Sequence, residues 1–304
     1  VVAFHEVSVT VRFSVWSADR HLAALDREVM APSLNPRTRV WEYVCEVRPS
    51  EIPDGPFELR ATCFPGGEGN REIQLQPLVL IANDGGTVRS GRTVYADSKA
   101  GQDNGAGTLD APYRTLRAAL NASGDGGTVL LGPGEYSPDA LRGGENRERW
   151  TTIRPRPGAG RDEVHIGRGR PVTDKLRFQN VTLYADVRDG KYTPILSGEQ
   201  GKTVIWLDDC VVHNRQGRWH GRVVVFGNRY PAYITGGRAT QLQRAPGALL
   251  MRDYRIETIS EDVFTDSKVA INCTVEGVDA GPTGGHADFH QSHVGDRRTF
   301  NAGV

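Results

Sequence analysis

The stretch VYADSKAGQDNGAGTLDAPYRTLRAALNASGDGGTVLLGPGEYS, residues 94–137, decides the fold of this chain. It reads as a strand, a Gly- and Asp-rich turn, a short amphipathic helix and an apolar strand interrupted by Pro-Gly. We expect Asp110 to cap the helix and Pro112 to lie in its first turn, because these residue types suit those positions. Gly124 then ends the helix. The apolar residues that share its buried face are Leu116, Ala119 and Leu120.

The run GGTVLLGPGEY, residues 126–136, has no helical period and is typical of a buried strand. A helix followed by GGTV-x-x-x-PG-x-Y resembles the first coil of right-handed parallel β-helix proteins of the pectate-lyase-like superfamily. The resemblance implies a coiled stack of parallel strands whose N-terminal end is closed by the short helix. It implies little about chemistry.

The residues before this stretch predict a different domain. Residues 1–90 alternate apolar and polar side chains over short spans separated by Pro, Gly and Asn, as in VSVTVRFSVW, PFELRATCF and LQPLVLIAN. Such a series favours an immunoglobulin- or fibronectin-like β-sandwich. The chain is therefore predicted to be all-β, with a sandwich over 1–90 and a right-handed parallel β-helix over 91–304.

A loose repeat follows the helix, as expected for a solenoid. Four segments align: LRFQNVTLYADV, VIWLDDCVVHNR, LLMRDYRIETIS and VAINCTVEGVDA. An Asn or Asp occupies the same position in each, and these residues tolerate the left-handed backbone of a bend. The four are Asn180, Asp209, Asp253 and Asn272. No capping element follows the last strand-like segment, so we expect further protein or a partner to cover the C-terminal coil.

The overall composition excludes some partners. The 304 residues include 37 basic and 37 acidic side chains, so no net field draws the chain to nucleic acid. No apolar run reaches the length needed to span a membrane.

The cysteines point to an oxidising compartment. Cys45 and Cys63 flank the turn-rich segment RPSEIPDGP, and a hairpin centred there would place them opposite each other. A disulfide between them predicts an extracellular or cell-surface protein. The alternative is a pair of buried thiols. Cys210 and Cys273 fall in the repeat and are expected to be unpaired core residues.

The polar segment GGHADFHQSH, residues 284–293, is the first candidate site. A strand here would place three polar side chains on one outward stripe: His286, Asp288 and His290. When Val263 of a preceding coil is aligned with Phe289, Asp262 stacks beside Asp288. Carboxylates with imidazoles can bind a cation, or act as acid and base on a glycoside. The alternative is a solvated polar wall.

A second candidate is a Ca²⁺ site in the turn before the helix. Asp97, Asp103 and Asn104 carry oxygen ligands of the kind that Ca²⁺ prefers. Side-chain hydrogen bonds to the local backbone explain the same residues equally well.

The enzyme motifs that belong to the resemblance are incomplete. Pectate lyases carry a W-I-D-H-C-like strand, and the segment WLDDC, residues 206–210, has Asp in place of His. The lyase segment R-x-P-x-x-R starts at Arg229 and at Arg244 but lacks its final Arg both times. Hydrolases of the polygalacturonase type need G-H-G, which does not occur. The resemblance therefore leaves open a lyase, a glycoside hydrolase or no enzyme.

Two functional hypotheses follow. The first is an extracellular β-helix protein that binds or processes a polysaccharide or cell-surface glycan along its lateral groove. The second is a structural surface or fibre-assembly protein that uses the β-helix as a rigid rod. Such a rod would assemble through its uncapped C-terminal coil, or by adding the first strand, residues 7–16, to a neighbour's sheet.

Overall fold

The computed structural model shows an all-β chain that divides into two compact units, Val1–Thr87 and Val88–Val304. We refer to them as the N-terminal and C-terminal units. The predicted fold class is confirmed. The residues that the structure describes are 1–2, 7–17, 20–82, 91–137, 147–169, 175–188, 192–196, 204–217, 222–226, 232–265, 267, 269–279, 290–291 and 300–302.

The N-terminal unit is built on antiparallel strands. They are β1 (Val9–Ser17), β2 (Arg20–His21), β3 (Arg27–Val29), β4 (Ser33–Leu34), β5 (Trp41–Glu42), β6 (Gly55–Pro65), β7 (Ile73–Gln74) and β8 (Leu78–Ala82). Strand β6 pairs with β1, β7 and β8, whereas β4 and β5 pair with each other. Alternate residues of β1 are buried, which is the period of a strand with one face on a core.

The predicted hairpin between Cys45 and Cys63 is wrong. Cys63 lies in β6 opposite Val11 of β1 and Ile73 of β7, while Cys45 follows β5 and belongs to no strand. Both residues are free thiols that pack in the same small core cluster, so the predicted disulfide is not formed. Burial raises the pKa of each thiol.

Strand β1 is paired on both sides over part of its length. It pairs with β6 along one side, and with β2 and β3 on the other. Residues 11–13 and 16 are therefore paired on both sides, and the addition of residues 7–16 to a neighbour's sheet stays a prediction.

The C-terminal unit is a stack of parallel strands. Sheet I contains β9 (Thr93–Ala96), β10 (Thr128–Leu131), β12 (Thr151–Pro155), β14 (Leu176–Gln179), the first halves of β17 (Ile205–Asn214) and β19 (Ala232–Leu242), then β20 (Leu250–Arg252), β23 (Val269–Ile271) and β26 (Phe300–Ala302). Sheet II contains β11 (Gly134–Tyr136), β13 (Val164–Ile166), β15 (Thr182–Ala185), the second halves of β17 and β19, then β21 (Arg255–Ile259) and β24 (Thr274–Val278). Two separate pairs are β16 (Tyr192–Leu196) with β18 (Arg222–Phe226), and β22 (Phe264–Thr265) with β25 (His290–Gln291).

The core of this unit is a column of apolar side chains stacked along sheet I. The parallel register places one inward residue of each strand beside that of the next. All are fully buried: Val129, Ile153, Phe178, Leu207, Ile234 and Met251. Cys210 and Cys273 are buried free thiols, as predicted. Burial raises the pKa of Cys210 to about 12.

The bend between the two sheets repeats at one register position. The four residues predicted there all have left-handed φ values: Asn180 (52°), Asp209 (50°), Asp253 (55°) and Asn272 (52°). Gly236 holds the same place in β19, with φ 67°. The predicted bend positions are confirmed, because Asn, Asp and Gly adopt this backbone at least cost.

The helix α1 (Leu116–Ser123) begins later than predicted. Its N-cap is Thr115, whose hydroxyl accepts from the backbone nitrogen of Ala118 at 3.2 Å. The predicted cap at Asp110 and first turn at Pro112 are wrong. The segment before the helix instead pairs with β9, since the backbone nitrogens of Tyr95 and Tyr113 bond to the carbonyls of Gly107 and Tyr95.

The predicted buried face and end of α1 are confirmed. Leu116, Ala119 and Leu120 are buried, and Gly124 follows the helix with φ 69°. Arg147 covers the open carbonyls at this end, because its guanidinium donates to the carbonyl oxygens of Leu120 and Gly124. No helix among the described residues is long and apolar enough to cross a membrane.

Candidate functional site

The outer surface of sheet II carries a cluster of polar side chains, here called the sheet II site. Its members come from successive coils: Glu135 in β11, His165 in β13, Tyr184 in β15, His213 in β17, Arg215 just after β17, and Arg238 in β19. Their chain neighbours are buried in the core, so the period of two turns these side chains outward.

The parallel register decides which of these residues meet. Glu135 lies beside His165, and Tyr184 lies beside His213. Thr240 continues the row of His213 on the next strand. Neighbouring strands are about 4.8 Å apart, so the site is a polar strip along the stack.

Arg215 joins Glu135 to Tyr184. Its guanidinium donates to Glu135 Oε1 at 2.8 Å and lies 3.5 Å from the centre of the Tyr184 ring. The Tyr184 hydroxyl donates to Glu135 Oε2 at 3.2 Å. The hydrogen bond from Arg215 lowers the pKa of Glu135, whereas burial and the Glu135 charge raise the pKa of Tyr184. Glu135 is therefore a carboxylate and Tyr184 a neutral phenol at pH 7.

His165 lies in β13, the strand between those of Glu135 and Tyr184. Its Nε2 lies 2.9 Å from the carbonyl oxygen of Asp162, which can only accept a hydrogen bond, so Nε2 carries the hydrogen and Nδ1 is the acceptor nitrogen. That Nδ1 is buried and has no hydrogen-bond partner among the described residues. The ring meets Tyr184 edge to face at 6.3 Å.

His213 is held in its neutral form. Burial lowers its pKa most, and the nearby charges of Arg215, His165 and Arg238 lower it further. Its Nε2 is buried without a hydrogen-bond partner in the described part of the chain. An imidazole in this setting is uncharged at pH 7 because no acid stabilises its cation.

This arrangement predicts an acid-sensitive fold. The folded-state pKa of His213 lies below the value of about 6.5 of the unfolded chain, so the unfolded state takes up the proton first as the pH falls. We expect the free energy of unfolding to be highest above pH 7 and to decrease towards pH 5. Urea denaturation across this range measures the slope. His213→Gln should flatten it, and equal slopes in both proteins would contradict the assignment.

Arg238 is the free cation of the strip. It is exposed, and within the described residues it makes no hydrogen bond or ion pair. Its register neighbour on the next strand is Arg255. Arg255 is itself paired, at 2.6 Å to Glu257 and 2.9 Å to Glu276. The site thus presents one unneutralised guanidinium beside a neutral imidazole.

The chemistry available here is anion and hydroxyl recognition. A guanidinium can bind a carboxylate through two parallel N–H donors. Among the described residues, no group of three or more His, Cys, Asp and Glu side chains is placed to hold a metal ion.

Asp262 does not lie on the outer wall, as the sequence predicted. It is fully buried, with its carboxylate 3.2 Å from Arg244 Nε, and Arg244 also pairs with Glu261 at 2.9 Å. The expectation of an exposed carboxylate is wrong, because its neighbours and Arg244 remove it from solvent.

The rest of that predicted catalytic set is only partly described. His286 and Asp288 lie outside the described residues. His290 begins β25 and pairs with Phe264, which is the register that follows from aligning Val263 with Phe289. The set of Asp262, His286, Asp288 and His290 stays a prediction.

The predicted Ca²⁺ ligands are occupied by other groups. Asp97 Oδ1 accepts from the backbone nitrogens of Lys99 and Ala100, each at 3.0 Å, and Oδ2 lies 3.5 Å from Arg156. Asp103 Oδ1 accepts from the nitrogen and hydroxyl of Thr115, each at 2.8 Å. These bonds favour the backbone-turn alternative. The Ca²⁺ site at Asp97, Asp103 and Asn104 stays a prediction.

The sheet II site was missed at the level of sequence, although part of it is visible there. The fourth residue after each predicted bend falls in one column of the aligned repeats: Tyr184, His213, Glu257 and Glu276. Reading that column would have found two of the six members of the site, Tyr184 and His213. Glu135 and His165 lie in coils without a recognisable bend residue, so the repeat carries no signal for them.

Comparisons with known proteins add little to this geometry. No protein-family model matches the chain. No curated protein matches it. Among solved structures, a rhamnogalacturonan lyase is similar with a TM-score of 0.38 and 13% sequence identity over 70% of this chain. The chain spans 62% of the length of that lyase. A likeness at this level does not bear on activity.

Proposed function

We propose that the C-terminal unit binds an acidic polysaccharide along the outer surface of sheet II, with one acid group of the glycan on Arg238. The observation that carries the proposal is the exposed Arg238 guanidinium, which has no acidic partner among the described residues. Arg215 of the same site and Arg255, the register neighbour of Arg238, are both paired with carboxylates. An acid group brought by a ligand would complete the pattern.

The shape of the strip suits a polymer. Solenoids present extended lateral surfaces, and here polar groups recur at about 4.8 Å, comparable with the length of one sugar residue. Glu135 and Thr240 lie within this strip and can bond sugar hydroxyls. An extended chain lying along the stack would meet one or two such groups on each coil.

The site favours binding over cleavage. A general base must reach the proton that it removes. The two imidazole nitrogens that could serve, His165 Nδ1 and His213 Nε2, are both buried. Tyr184 is held neutral by its raised pKa, and its hydroxyl donates a hydrogen bond to Glu135. Because acidic polysaccharides of this kind belong to cell walls and matrices, the proposal places the protein outside the cell.

Removing the Arg238 guanidinium should weaken binding of acidic glycans. A charge-assisted hydrogen bond at an exposed site supports a loss of about tenfold in affinity for Arg238→Ala. Arg238→Lys keeps the charge but loses the paired donors, so its loss should be smaller. Isothermal titration at low salt against polygalacturonate, glucuronoxylan and unsubstituted xylan measures the affinities.

Arg37→Ala is the matched control, because Arg37 is an exposed arginine of the N-terminal unit. It should bind as the unchanged protein does. The proposal is wrong if the unchanged protein binds neither acidic glycan, or if Arg238→Ala and Arg37→Ala bind equally well.

A further inference from the structure

The charges around Arg238 restrict which acidic glycan the strip accepts. Arg238 lies in β19, and the next two strands of sheet II bring carboxylates to the same surface. Glu257 in β21 lies in register beside Glu276 in β24. Both are paired with Arg255 alone, so these two coils together present two negative charges against one positive charge.

The coils on the other side of Arg238 carry charges of both signs. Arg215 is neutralised by Glu135 at 2.8 Å. His213 is uncharged at pH 7, because burial and the adjacent arginines disfavour its cation. Asp186 and Arg188, which follow β15, are both exposed and both bond to Gln216, so this coil adds one charge of each sign. Arg238 therefore lies between a surface that carries charges of both signs and, on its other side, the net negative coils of Glu257 and Glu276.

From this charge pattern we infer that the bound polysaccharide carries isolated acid groups separated by neutral sugars, not an acid group on every residue. The inference rests on the proposed function of the strip. One acid group would bind Arg238, and the neutral sugars before and after it would cross the coils of Glu135 and Glu257.

The carboxylates of Glu257 and Glu276 are close enough to affect an anion bound at Arg238. Charges are screened over about 8 Å at physiological ionic strength. Successive coils are only about 4.8 Å apart, so the carboxylates of Glu257 and Glu276 act on a ligand charge one or two coils from Arg238. A polymer charged at every residue would bring like charges against them, and like charges across an interface oppose binding.

Two polysaccharides and one variant test this inference. Polygalacturonate carries a carboxylate on every residue, whereas glucuronoxylan carries isolated glucuronate groups on a neutral chain. At equal salt, the unchanged protein should bind glucuronoxylan more tightly by at least about fivefold. Glu257→Gln combined with Glu276→Gln frees Arg255, and should raise the affinity for polygalacturonate by about tenfold.

The controls separate the possible failures. Unsubstituted xylan should bind the double variant and the unchanged protein equally, because it has no charge. If the double variant is unstable, Glu276→Gln alone can replace it, because it keeps the partly buried Glu257. Its gain in affinity for polygalacturonate should be smaller. Tighter binding of polygalacturonate by the unchanged protein, or no gain in either variant, would overturn the inference and leave the proposed function standing. Binding of neither acidic glycan would instead overturn the proposed function itself.

Discussion

Replacing Gly237 by alanine is expected to lower the free energy of unfolding of the C-terminal unit by more than about 4 kcal/mol. Gly237 has φ 89°, which side-chain-bearing residues rarely adopt. A Cβ here would lie 2.6 Å from the backbone nitrogen of Cys210 and closer still to its carbonyl oxygen. Strands β17 and β19 pair on both sides of this point, so neither backbone can move away cheaply. Urea denaturation of the purified variant measures the loss.

Gly236 provides the matched control. It also has a left-handed φ of 67°, but the nearest atom to an added Cβ is 3.7 Å away. Gly236→Ala should therefore cost only the backbone strain, about 1–2 kcal/mol. Gly236→Asn should cost less, because Asn occupies this position in other coils. Equal losses for Gly236→Ala and Gly237→Ala would show that the close approach to Cys210 is not the cause.

Replacing Asp208 by alanine should cost about 3–5 kcal/mol, because it removes the carboxylate that accepts two hydrogen bonds from the buried Arg177 guanidinium. Arg177 is 9% exposed and donates to Asp208 Oδ2 at 2.6 and 3.2 Å. Gln179 donates to the same oxygen at 3.0 Å, and Thr235 donates to Asp208 Oδ1 at 2.9 Å. The other surroundings of Arg177 include the ring of Trp206, 3.9 Å from its guanidinium carbon.

A double variant distinguishes loss of the ion pair from loss of packing. Arg177→Met with Asp208→Leu removes both charges and keeps apolar volume, and should recover most of the stability lost in Asp208→Ala. The coupling energy follows from the two single variants and the pair, each measured by urea denaturation. Asp208→Ala within about 1 kcal/mol of the unchanged protein would mean that solvent reaches Arg177 and replaces the carboxylate.

The helix shows which features the local sequence pattern predicts and which it does not. Its buried face was predicted because the spacing of Leu116, Ala119 and Leu120 depends only on helix geometry. Its start was predicted wrongly at Asp110, since the capping preference of that residue competes with pairing to β9 that no local pattern reveals. The same limit applies to Cys63, whose partners across the sheet are Val11 and Ile73 and not the nearest segment in sequence.

The candidate site depends even more on contacts that local sequence does not specify. The bend residues, and with them the column of Tyr184 and His213, could be found from the repeat. The repeat could not show that Arg238 lacks an acidic partner among the described residues, because Arg238 and Arg255 occupy equivalent positions in sequence. Only the register decides that Glu257 and Glu276 both reach Arg255 and leave Arg238 unpaired. Asp262 was misplaced for the same reason, since burial depends on what covers a residue.

The sequence by itself determined the all-β class and the residues that turn four of the coils. These properties follow from backbone preference and from a two-residue period, both of which act over a few neighbouring residues. Only the tertiary structure decided which side chains meet across coils. It joined Glu135 to Arg215 over 80 positions of chain, kept His213 neutral and left Arg238 without an acidic partner among the described residues. Those properties depend on register, burial and the sum of neighbouring charges, which the chain acquires only when distant segments pack together.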